Sequence, residues 1–65
     1  MQLLTKINKL ERAEEIKLII AEIIKNFDKM PEFYYDEVIK AVTRKGLSLG
    51  LSVLEMNNMT LEYLS

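Results

Sequence analysis

Gly46-Leu47-Ser48-Leu49-Gly50 spells G-x-S-x-G. In a nucleophile elbow that string projects a serine from a strained strand-to-helix turn, beside a histidine base. This chain has no histidine, and its 65 residues leave no room for the large parallel sheet an elbow requires. The glycines and Ser48 therefore read as turn and close-packing residues. The same glycines form G-x-x-x-G, which permits close helix contact in membranes; helix termination at Gly46 is the stronger reading here. Carboxylates are the other catalytic material. Glu11, Glu14 and Glu15 share one helical turn, and Glu22 follows two turns beyond Glu15. A helical di-metal site needs inward glutamates together with Glu-x-x-His motifs. The histidines are missing and these glutamates lie off the apolar stripe, so they read as a solvated face. Asp36 and Glu37 have no partner at a spacing that suggests acid–base work. No glycine-rich loop carries the Lys-Ser/Thr of a phosphate cradle. Without cysteine there is neither a thiolate zinc site nor a disulfide framework. The expectation is a protein that is not an enzyme and that uses no metal or cofactor.

The elements that would position any site must come from one small core, because 65 residues make a single small helical domain, residues 1–65. Nine Lys plus Arg against ten Asp plus Glu give a net charge of −1. That balance excludes both a polybasic nucleic-acid arm and an acidic disordered tail. The hydrophobic fraction is 49%, more apolar matter than so short a monomer readily hides. Self-association, or burial against a protein partner, is expected. The longest apolar run in the first half, Leu18 to Ala21, ends at Glu22, far short of the roughly eighteen residues needed to span a bilayer. No signal-peptide pattern opens the chain. A cytoplasmic protein without membrane contact is the expectation.

Apolar residues at Leu3, Ile7, Leu10, Ala13, Ile16, Ile20, Ile23 and Phe27 recur at steps of three or four, so one helical stripe reaches about Asn26. Asn8 and Glu11 read as a capping pair, which starts the helix near Lys9 and leaves residues 1–7 as a separate turn. An unbroken helix from residue 3 is the alternative. Pro31 disfavours the α region at Met30 and suits the first turn of a second helix. That helix carries Val38, Ile39, Ala41 and Val42 inward to about Arg44, with Gly46 at C′. The two should pair as an antiparallel hairpin. Ile16, Ile20, Ile23, Phe27, Val38 and Val42 are the expected core.

Residues 47–53 alternate strictly between apolar and small, the pattern of a half-buried strand, which would have to pair between chains. The competing pattern is a turn followed by a helix, with Ser52 as N-cap and Glu55 at N3. Leucine and methionine favour the helical form. On that reading a short helix runs through Asn57, Asn58 breaks it, and Thr60 caps a last turn. The fold class is all-α: an antiparallel hairpin plus one or two short C-terminal helices.

Phe33, Tyr34 and Tyr35 are consecutive, about 100° apart on a helix, so they cannot all face the core. Tyr34, Tyr35, Leu49, Leu51, Met56 and Met59 are the candidate partner interface, since Tyr and Met suit adaptable contact surfaces. Lys40, Arg44 and Lys45 form the one basic patch, with Lys40 and Arg44 on one helix face. They would serve the rival reading, a small dimeric DNA-binding regulator. The sequence pI of about 5.3 and the absence of any cation in the last twenty residues disfavour nucleic acid. An inhibitor or antitoxin-like partner is a third reading.

The tail Leu54-Glu55-Met56-Asn57-Asn58-Met59-Thr60-Leu61-Glu62-Tyr63-Leu64 resembles the short-helix, Met-Thr-Leu-Glu, helix ending of small phage tail-assembly chaperones. The resemblance covers eleven residues and assigns no residue a role. It implies a small, acidic, helical protein that chaperones a tape-measure protein during tail assembly. The expected function is a non-catalytic helical interaction or assembly module that associates with itself, a protein partner, or both.

Overall fold

The computed structural model describes residues 3–65, which are all-α, with no strand among them. Four α-helices follow one another: α1 (Leu3–Asn8), α2 (Glu14–Asn26), α3 (Glu32–Ser48) and α4 (Val53–Leu64). A 3₁₀ turn, Phe27–Lys29, follows α2. The Cα framework measures 29 × 27 × 15 Å. Its short dimension suits two helix layers at ordinary packing distance, so each helix has one face inside and another in water.

The core consists of Leu3 and Ile7 from α1, Ile16, Ile19, Ile20 and Ile23 from α2, Val38 and Val42 from α3, and Met56 from α4. It holds no buried polar side chain among the described residues. Five of the six expected core residues lie in it. Phe27 does not: it is 57% exposed and meets Tyr35 edge-on, with ring centroids 5.4 Å apart. The reason is geometric. The α-helix ends at Asn26, and the tighter 3₁₀ turn swings residue 27 off the stripe that a continued α-helix would have kept.

The break before α2 is present, but its chemistry differs from the expected Asn8–Glu11 pair. Residues 3–8 form a helix rather than a turn, while Met1 and Gln2 lie outside the described residues. Helix α2 starts at Glu14, and the Glu15 carboxylate accepts the backbone N–H groups of Glu11 (3.0 Å) and Arg12 (2.9 Å). Those two donors hold the Glu15 carboxyl below the usual carboxylate range. The side chain sits three residues beyond Arg12, as in the reciprocal half of a capping box.

Met30 is extended, as a residue before proline should be. Pro31 sits at the N-cap of α3 rather than inside its first turn, and its carbonyl accepts from Tyr34 and Tyr35. Helix α3 runs past Gly46 to Ser48. Gly50, with φ 96°, takes the left-handed C′ place instead. Leu51 N–H donates to the Gly46 carbonyl (2.9 Å) and Gly50 N–H to that of Leu47 (3.1 Å). This is the Schellman closure, and it consumes the segment whose alternation resembled a strand. The Ser52–Glu55 capping box is formed in both directions. Beyond it α4 is one continuous helix: Asn58 does not break it, and Thr60 donates its hydroxyl back to the Met56 carbonyl inside it. No helix of the described residues is long and apolar enough to cross a membrane.

Candidate functional site

Helices α3 and α4 touch where Gly46 meets Met56. A Cβ at residue 46 would overlap the Met56 sulfur, so the absence of a side chain there leaves room for Met56 to pack on α3. Beside that contact lies an apolar cleft of about 190 Å³ bounded by α2, α3 and α4. Ile20, Ile23, Val42 and Met56 form its floor; Ile24, Tyr35, Ile39, Thr43, Asn57 and Thr60 complete the lining. None of these residues is charged. For scale, a cavity of about 150 Å³ accommodates benzene. The cleft therefore has room for a leucine-sized side chain, and the Thr60 hydroxyl on its wall donates to the Met56 carbonyl of its own helix.

The α4 wall of the cleft continues outward as a ridge. Leu54, Asn57, Leu61 and Leu64 are spaced three, four and three residues apart, the repeat that keeps one stripe in line along a helix. Leu54 is 68% exposed, Leu61 64% and Leu64 63%. Asn57 belongs to both features, since it lines the cleft and stands one turn before Leu61. The carboxylates of α4 are engaged elsewhere: Glu55 in the capping box and Glu62 with Lys17 of α2, at 3.5 Å.

The sequence candidates divide between core and surface. Met56 is buried in the core and forms part of the cleft floor. Tyr34, Tyr35, Leu49, Leu51 and Met59 are half-buried and pack against the core. Of these, Tyr35 reaches the cleft. Of the three consecutive aromatics, Phe33 is the one turned to water, 74% exposed. The ridge leucines and Ile39 were not among the interface candidates. The 54–57–61–64 spacing was the signal for the ridge, hidden by the supposed break at Asn58.

Among the basic residues, Lys45 donates its ammonium to the carbonyl of Asn8 (3.1 Å), capping the negative end of α1. Lys40 and Arg44 are exposed on α3. Of the glutamates, Glu11 and Glu14 are exposed, Glu15 caps α2, and Glu22 pairs with Lys6 at 2.8 Å. No three acidic side chains among the described residues stand together as metal ligands. No family model, curated protein or solved structure matches the chain.

Proposed function

We propose that this chain is a non-catalytic helical module that works by binding protein, with a second copy of itself as its first partner. One observation carries the reading: among the described residues, ten large hydrophobic side chains are exposed while nine hydrophobic residues form the core. Single exposed leucines are ordinary on a monomer. A ridge of them beside an uncharged apolar cleft is the form of a contact surface. The core of the described residues is uniformly aliphatic and thioether, with no polar side chain buried in it. Chaperoning an assembly protein, which the C-terminal resemblance implies, is one form of this reading.

The test is size-exclusion chromatography with light scattering across a hundredfold dilution, with circular dichroism on each fraction. A helical oligomer that dissociates on dilution is the expected result. A helical monomer at every concentration overturns the self-association part.

A further inference from the structure

We infer that an open groove where the 3₁₀ turn meets α3 receives the guanidinium of an arginine side chain on a protein partner. The inference rests on the reading of the chain as a protein-binding module and does not depend on its pairing with itself.

The groove, of about 490 Å³, is lined by Phe27, Asp28, Met30, Glu32, Tyr35 and Asp36. The 3₁₀ turn builds its aromatic side. It swings the Phe27 ring out of the core and sets it edge-on to Tyr35, with 77° between the ring planes. Phe27 stays exposed, whereas Met30 and Tyr35 are half-buried and pack against the core, which anchors the groove to the fold.

The other three lining residues are carboxylates four apart in sequence, and no cation lines the groove. Asp28, Glu32 and Asp36 make no ion pair or side-chain hydrogen bond among the described residues, where the ion pairs use Glu14, Glu22 and Glu62 instead. The positive end of the α3 dipole accounts for Glu32 in the first turn. It does not account for Asp36 a turn further on, nor for Asp28 in the preceding 3₁₀ turn. The three do not converge as ligands of a metal ion.

Unneutralised carboxylates beside two aromatic rings call for a cation that is broad and has apolar faces. A guanidinium meets both conditions. Its flat face is drawn to an aromatic ring, and its N–H fork donates to carboxylate oxygens. An ammonium is a compact, strongly hydrated charge, which an open groove desolvates poorly.

The experiment is an NMR titration of the full chain with a capped Gly-Arg-Gly peptide. The same peptide carrying citrulline, an uncharged isostere of arginine, or lysine serves for comparison. Resonances of residues 27–36 should shift and saturate with the arginine peptide. Citrulline should bind about tenfold more weakly, with lysine between the two. The double change Asp28→Asn and Asp36→Asn should weaken the arginine peptide about fivefold, and Phe27→Leu about threefold. Glu37→Gln, on the same helix but outside the groove, should leave binding unchanged. All four positions are exposed, so circular dichroism should match the parent. Citrulline binding as well as arginine, shifts spread over carboxylates across the surface, or shifts that never saturate would each overturn the groove as a cation site. Equal binding by lysine overturns the choice of a guanidinium. These outcomes leave the oligomeric state untouched, so a failed groove and a failed self-association reading are told apart.

Discussion

The sulfur of Met56 overlaps the place where a Cβ on residue 46 would stand, so the bare backbone of Gly46 leaves the room that the Met56 side chain of α4 fills on α3. A glycine that the local code reads as the end of a helix thus serves as a notch within one. The cleft beside this notch depends on it, because Met56 forms part of the cleft floor.

Gly46→Ala should cost no more than about 1 kcal/mol net, because the Met56 thioether in its way is the flexible end of a side chain that can shift and alanine is better than glycine inside a helix by about 1 kcal/mol. In a Met56→Ala background the same change should become neutral or stabilising. Urea unfolding of the four proteins in the cycle measures this. An equal cost in both backgrounds would exclude the sulfur as its cause.

Gly50 should be sensitive for a different reason. Nothing lies within 4 Å of a Cβ placed there, but its φ is 96°. Gly50→Ala should cost about 1 kcal/mol through backbone strain alone, and Gly50→Asn less, since asparagine tolerates left-handed backbone better. Thermal unfolding of the two variants would show the ranking; an alanine variant as stable as the parent would contradict it.

Ile16 is fully buried, so Ile16→Ala should cost about 2–5 kcal/mol. Ile20→Asp should abolish the fold, because it buries a charge among aliphatic side chains. Phe27→Ala should be far milder, given the exposure of the ring. Circular dichroism during denaturation distinguishes these outcomes. A folded Ile20→Asp chain would refute the assignment of the α2 stripe to the core.

Glu15 makes the start of α2 sensitive to acid. Its folded-state carboxyl titrates below the ordinary range because the amides of Glu11 and Arg12 donate to the charged form. The capping contribution is therefore fully present above the unfolded-state pKa and is lost as pH falls through the lowered, folded-state value. A carboxyl NMR titration should show a depressed midpoint for Glu15, with the amide shifts of Glu11 and Arg12 following it. Glu15→Gln should remove that coupled titration. A midpoint at the ordinary value would show that the two hydrogen bonds do not persist in solution.

Features governed by neighbours in sequence were legible in advance. The three-four spacing from Ile16 to Ile23 marked an amphipathic helix and its buried side. Met30-Pro31 marked the end of one element and the approach to the next, because proline restricts its own φ and the residue before it. Ser52 and Glu55 marked the start of α4, since the capping box closes within four residues. Each of these signals is complete within a turn or two of chain.

The tertiary structure decided the choices for which the local code offered two answers. Gly46 and Gly50 both fit a helix-ending position; the packing of Met56 on Gly46 and the hydrogen bond from Leu51 to its carbonyl favour Gly50. Asn58 is an adequate place to end a helix, yet α4 runs on through it to Leu64, with Thr60 lining the cleft and Glu62 reaching Lys17 of α2. The same packing turned Met56 inward and left Leu54, Leu61 and Leu64 outside. Composition established that there was more apolar surface than one small core would bury. Which side chains carry that surface depends on how α4 rolls against α3, through contacts between residues distant in sequence that no local pattern specifies.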